Sequence, residues 1–283
     1  MIARRIAAVA LVAFAVAALA MQGVPPEGDE EYRPRSGQPG KDVIWVPTPD
    51  AFVTQMLRAA KTTAKDLVYD LGAGDGKIAI AAAKEFGARA VGIEYNPDLA
   101  ALARRNAERA GVADRVTIVT GDIFKDDFSH ATVVTMYLLP ELNLRLRPLL
   151  LRMTPGTRVV SHSFHMGEWE ADEMLNLDTR EAFLWVVPAD VAGRWQFKEK
   201  EGSWEARVDI DQRFQRIGGT LTRGNTTRLL LGATIAGAQL AFTFADSDGG
   251  IRTVRGRIDG DAFSGNLVFV RRETPVTGTR SKP

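Results

Sequence analysis

The chain has 283 residues, 45% of them hydrophobic and 25% charged, which is the make-up of a folded globular protein with room for about two domains rather than of a disordered or fibrous one. Lys and Arg number 36 against 35 Asp and Glu, so no broad basic field favours a phosphate backbone, and nucleic acid is not expected as a partner. There is no Cys, which excludes disulfides, thiolate nucleophiles and Cys-ligated zinc; His130, His162 and His165 alone supply no complete metal set, and no metal is expected.

Arg4-Arg5 precede an apolar run from Ile6 to Met21 that closes in Ala18-Leu19-Ala20. The run is shorter than the ~20 residues of a transmembrane helix, and its flanks read as an export signal over residues 1–20, or as a membrane tether through residues 2–21 if it is retained. Positive residues before it and Glu27, Asp29, Glu30 and Glu31 after it place the body outside the cytoplasm, periplasmic or membrane-anchored, with a cytoplasm-facing anchor as the minor alternative. Residues 21–43, rich in Pro and Gly, read as a linker.

From 44 to 188 short apolar strands alternate with helical stretches. Strands are expected at 67–71, 89–94, 116–119, 132–138 and 157–161, and helices at 75–86, 97–110 and 141–153. Asn96 would cap a helix that opens on Pro97, and Gly87 and Gly111 would stop helices. This is the pattern of an α/β, Rossmann-like, doubly wound and mostly parallel sheet. The boundary falls near Pro188: Phe183 to Val187 reads as a further strand, and Arg194 to Lys198 fits either side. From 189 to 273 the period becomes two, as in Ala206, Val208, Ile210 and in Leu240, Phe242, Phe244, so a smaller all-β antiparallel barrel or sandwich follows. Residues 274–283 read as a flexible tail.

The chemistry gathers at Val68 to Ile78, a strand that ends in Asp70-Leu71-Gly72-Ala73-Gly74-Asp75-Gly76 and opens a helix. Closely spaced glycines let a ligand approach the backbone, and the helix start offers free N–H groups. The spacing is neither the dinucleotide Gly-x-Gly-x-x-Gly nor a P-loop. Glu94 ends the second strand, where an acid can take both ribose hydroxyls, and Gly121-Asp122-Ile123 ends the third. Acids at 70, 94 and 122 on one rim favour a ligand with a ribose and positive charge over a polyphosphate.

Together, Asp70 to Gly76, Glu94-Tyr95-Asn96-Pro97 and Gly121-Asp122-Ile123 resemble the class I, seven-strand S-adenosylmethionine-dependent methyltransferases, over about Val46 to Leu175. The resemblance implies S-adenosyl-L-methionine as co-substrate. It implies Asp70 with Gly72, Ala73, Gly74 and Gly76 at the methionine end, Glu94 and Tyr95 near the ribose, and Asp122 with Ile123 at the adenine edge. Val46-Pro47-Thr48-Pro49-Asp50 and Tyr137-Leu138-Leu139-Pro140 further resemble a group that includes bacterial methyltransferases and the mitochondrial lysine methyltransferases that modify the ATP-synthase c-subunit and the adenine-nucleotide translocase.

On that footing Tyr137, Glu141 and His162 are the candidate catalytic residues, because an amine acceptor with a free pKa near ~10.4 must be desolvated or meet a base to react at neutral pH. The acceptor is expected to be a protein lysine, with a small-molecule amine as the alternative. An exported chain is separated from cytoplasmic S-adenosylmethionine, so a non-catalytic envelope binding or interaction protein is the rival reading. Trp169, Trp185, Trp195 and Trp204 line either a substrate groove or a domain junction, and Arg145 and Arg147 are expected to face solvent.

Overall fold

The computed structural model describes residues 32–42 and 44–281. The expected export segment and residues 21–31 of the expected linker lie outside the described residues. The remainder of that linker is not featureless: β1 (Gln38–Pro39) and β2 (Ile44–Trp45) pair as a small antiparallel hairpin.

The α/β half then runs α1 (Asp50–Ala59), β3 (Leu67–Leu71), α2 (Lys77–Phe86), β4 (Arg89–Glu94), α3 (Pro97–Arg109), β5 (Val116–Thr120), β6 (Val133–Met136), α4 (Pro140–Leu150), β7 (Arg158–His162), β8 (Glu173–Leu177) and β9 (Arg180–Val186). Its seven strands lie in the order β5-β4-β3-β6-β7-β9-β8, parallel from β5 to β7, with β9 antiparallel to both neighbours. All four residues of β6 are buried, as a strand covered on both faces requires. Val133 and Val160 point to the side where Phe52, Met56, Ala79 and Ala103 of α1 to α3 pack. Val134, Met136 and Val159 point to the other side, against Leu142, Leu146 and Leu150 of α4. Asn96 Oδ1 accepts from the N–H groups of Asp98 (2.9 Å) and Leu99 (3.3 Å), a cap that contributes about 1 kcal/mol to α3.

The second half is a meander of β10 (Gly193–Glu199), β11 (Glu205–Arg213), β12 (Arg216–Arg223), β13 (Thr226–Leu229), β14 (Leu231–Ala236), β15 (Gln239–Ala245), β16 (Ile251–Asp259), β17 (Ala262–Phe269) and β18 (Arg272–Arg280), in one nine-stranded sheet. β13 and β14 are its two edges, yet only Leu230 separates them, and the Leu230 N–H donates to the Gly219 carbonyl of β12 at 3.0 Å. One bent strand therefore serves both edges and brings the sheet round into a near-closed antiparallel barrel, which leaves little exposed edge for pairing with other chains. Trp195, Phe197, Val208, Phe242, Phe244, Val254 and Phe263 fill the interior.

Arg194 to Lys198, which fitted either side, belongs to the barrel. One expectation changes: residues 274–280 of the expected tail are part of β18, which sits between β10 and β17. Only Val276 buries a sizeable apolar side chain in β18; Gly278 admits the rings of Phe197 and Phe263, so the strand lacks an apolar stripe in sequence.

The junction accounts for the tryptophans. Trp169 and Trp185 are fully buried, and Phe214, from the β11–β12 turn, stacks on Trp169 at 6.1 Å. Trp195 and Trp204 lie in the barrel core, so none of the four lines an open groove. Gln215 donates to the Glu170 carbonyl (2.7 Å), and Arg213 and Arg216 pair with Glu168 and Glu170. Arg147 is not a free surface cation: its guanidinium donates to the Met166 carbonyl at 3.0 Å, while Arg145 lies over the Phe124 ring.

Candidate active site

The sheet changes direction between β3 and β6, whose chain neighbours lie on opposite sides, and the C-terminal ends of β3, β4 and β6 open there into a cleft. β3 delivers Asp70 to its floor. Beyond it the turn carries Gly72, Gly74 and Gly76 at φ +80°, +56° and +81°, left-handed values that glycine alone takes without strain. A Cβ on Gly74 would fall 2.6 Å from Trp45 Nε1, so that position also admits the hairpin's indole. Gly72, Ala73 and Gly74 line the cleft; Gly76 instead packs on Ala103 of α3 and heads α2.

Glu94 ends β4 with both carboxylate oxygens engaged: Oε2 accepts from the Gly74 N–H at 2.8 Å and Oε1 from the Asn96 N–H at 2.9 Å. One side chain thus ties the glycine turn to the head of α3. Asp122 accepts from the Phe124 N–H at 3.0 Å and from Lys41 Nζ at 3.0 Å, and these bonds hold its carboxyl below the usual range. Ile123 lines the cleft beside it, and Tyr95, half-exposed, carries Lys41 over its ring at 4.2 Å. Asp70 is the electrostatic outlier. Burial pushes its carboxyl up to about 7, Asp75 and Glu94 add to the shift, and a 2.8 Å hydrogen bond from the Thr135 hydroxyl opposes it.

At the other end Tyr137, just past β6, stacks on His162 at 3.9 Å between ring centroids, with Phe52 and Phe164 on either side. His162 is buried at the end of β7; burial first, and the charge of Arg180 second, push its imidazole down to about 4, so it is neutral at physiological pH. Thr48 Oγ1 lies 3.0 Å from His162 Nδ1. Ser163 takes φ +63°, and the buried Asn143 of α4 bonds Ser161 Oγ (3.0 Å) and the Phe164 carbonyl (3.1 Å), which fixes this turn. Glu141 is exposed in the first turn of α4 and does not line the cleft. Tyr137 and His162 are brought together, with Tyr137 in the cleft wall and His162 buried behind it rather than lining the cleft; Glu141 is not brought with them.

Among the cleft residues not expected from the sequence as site residues are Lys41, Trp45, Thr48 and Asp75. Asp75 stood inside the glycine motif and Thr48 inside the Val46–Asp50 segment, so both signals were present. Lys41 and Trp45 stood in or beside the stretch read as linker, and only their contacts across the cleft reveal them.

The ANTKMT methyltransferase domain family matches residues 70–173. A protein-lysine N-methyltransferase of Saccharolobus islandicus is 47% identical over 151 residues, which is 51% of this chain and 94% of that relative. The mouse adenine nucleotide translocase lysine N-methyltransferase is 39% identical over 105 residues, 36% of this chain and 45% of its own length. Among solved structures, an RNA methyltransferase from Salinibacter ruber in complex with S-adenosyl-L-homocysteine is 50% identical, with a TM-score of 0.51 over 52% of this chain and 96% of that one. The chain belongs to the class I S-adenosylmethionine-dependent methyltransferases, as one related to the protein-lysine methyltransferases.

Proposed function

We propose that the protein methylates a lysine side chain of another protein. The observation that carries this reading is the 47% identity to a protein-lysine N-methyltransferase along almost the whole of that relative. The chemistry of the cleft supports it. A bed of left-handed glycines, a buried carboxyl beside it and a second acid on the next strand fit a ligand that brings a cationic methionine end and a ribose. Asp70 with Gly72, Ala73 and Gly74 would hold the first, Glu94 the second, and Asp122 with Ile123 the adenine edge, where Lys41 now takes Asp122.

When bound, S-adenosylmethionine supplies a methyl group already activated on a sulfonium, so the protein must mainly align a nucleophile and keep it unprotonated. The aromatic end of the cleft suits that task. Tyr137, in the cleft wall with Phe164 stacked on its ring at 6.2 Å, would shield an incoming amine from water, which lowers its pKa, and the Tyr137 hydroxyl can orient the nitrogen. A neutral His162 adds no repelling positive charge beside it, and Thr48 fixes the orientation of the ring.

Tyr137→Phe is expected to lower kcat roughly tenfold, the worth of one positioning hydrogen bond, with the Kd for S-adenosylhomocysteine unchanged. A wild-type rate would return Tyr137 to a purely packing role. The reading as a whole is tested with methyl-labelled S-adenosylmethionine and a cell-envelope lysate, with label scored separately in protein, RNA and small molecules. Label on protein lysines above a Glu94→Ala blank is the expected result. Label in RNA alone would favour instead the activity named for the Salinibacter ruber protein, and label in small molecules alone a metabolite amine.

A further inference from the structure

The barrel meets the α/β half through one end. The turns at 214–215 and 237–238 lie there, where Gln215 reaches Glu170 and the Gly237 carbonyl accepts from the Ala189 N–H at 2.8 Å. The meander places the turns 200–204, 224–225, 246–250 and 270–271 at the opposite end. The mouth of that end is closed from inside by charge: buried Asp246 accepts from Arg223 (3.0 Å) and Arg252 (2.5 Å), and Arg252 lies over the Phe269 ring.

Outside this plug several large apolar side chains stand exposed to water. Strand register places Leu231 opposite Thr243, Thr243 opposite Thr253 and Thr253 opposite Val268. One step nearer the turns, and on the same outward face, come Leu229, Ile251 and Val270. These residues are 70%, 56% and 81% exposed, and Leu231 is 48% exposed. Arg228, Arg271 and Arg272 stand at the same end, and none of the three has an ion-pair partner among the described residues.

Val270 is unfavourable for folding twice over. Besides its exposure it has φ +55°, a left-handed conformation that a β-branched side chain resists, at the first position of a two-residue hairpin turn whose second residue, Arg271, has no positive φ, so glycine is the residue favoured there. A strained, exposed valine beside an unpaired arginine at a hairpin tip is explained by contact with something that is itself both apolar and anionic.

We propose that this end of the barrel docks on an anionic lipid surface. Leu229, Ile251 and Val270 enter the headgroup boundary, and Arg228, Arg271 and Arg272 pair with lipid phosphates, their stems lying along the apolar layer. The methyltransferase cleft is thereby held at a fixed height above the membrane.

The chain has no Cys, so a single introduced thiol can be labelled without ambiguity. The full chain carrying Leu229→Cys with an environment-sensitive fluorophore is expected to shift to the blue on vesicles of equal parts phosphatidylcholine and phosphatidylglycerol, and not on phosphatidylcholine alone. The same label at Ala262→Cys, near the opposite end, is expected to stay in water. Replacing all three arginines with glutamine should raise the vesicle concentration at half-shift by on the order of a hundredfold. Val270→Gly, which relieves the left-handed strain and removes the exposed side chain, should raise Tm and still weaken the shift, which separates docking from folding. No shift on the anionic vesicles, an equal shift at position 262, or a shift indifferent to the arginines overturns the proposal; the first of these would leave the rim to a protein partner.

Discussion

Glu94→Ala is expected to weaken S-adenosylhomocysteine binding by at least about a hundredfold, measured by calorimetry, while the protein still folds. The proposed loss has two parts. Two hydrogen bonds from ribose hydroxyls to a carboxylate are each worth roughly 1.5–3 kcal/mol, so losing both is enough on its own. The structure adds an indirect part, because Glu94 also accepts from the N–H groups of Gly74 and Asn96 and so holds the glycine turn against α3. Glu94→Gln separates the two. The amide oxygen can retain one of these N–H bonds but not both, so thermal stability should fall less than in the alanine variant, while affinity stays well below wild type. An alanine variant with wild-type affinity would remove the ribose assignment.

The same residue shows how far a sequence can be read. Glu94 was legible because a strand end, a helix cap at Asn96 and a glycine turn each announce themselves locally, through period, capping chemistry and φ > 0. The barrel was legible for the same reason, since a wall with one buried face alternates. What escaped was decided by distant partners. β18 carries Thr274, Pro275, Thr277 and Thr279, a loop-like composition that becomes a central strand only because β10 and β17 flank it. Lys41 and Trp45 stand within or beside a Pro- and Gly-rich stretch and gain their meaning from Asp122 and Gly74, some 81 and 29 positions away. Glu141 shows the converse failure: a position beside Tyr137 in sequence is turned outward by the first turn of α4.

Asp70→Asn is expected to make the protein more stable at pH 8 and to impair its binding of S-adenosylhomocysteine. The carboxyl of Asp70, raised to about 7 mainly by burial, keeps a proton in the folded state that the unfolded chain gives up near the ordinary value of 3.8. Between those two values the native state binds more protons than the unfolded one, so this group makes stability fall as pH rises through the window and level off above about 7. At about 1.4 kcal/mol per unit, the contribution is of order 4 kcal/mol at most. Asparagine is close to the neutral acid in shape and cannot ionise, so the variant should lose that part of the slope; a difference in Tm between variant and wild type that does not grow from pH 5 to pH 8 would overturn the argument. Under the proposed function, the same burial that destabilises the free protein would suit the site to a cation. An ammonium group beside Asp70 restores its ordinary acidity, so ligand binding near neutral pH should release a proton in the wild type and not in Asp70→Asn, read as the dependence of binding enthalpy on the buffer's ionisation enthalpy. In the free protein the Asp70 carboxyl has the Thr135 hydroxyl as its hydrogen-bond partner but no cation, and under the proposed function the ligand supplies one.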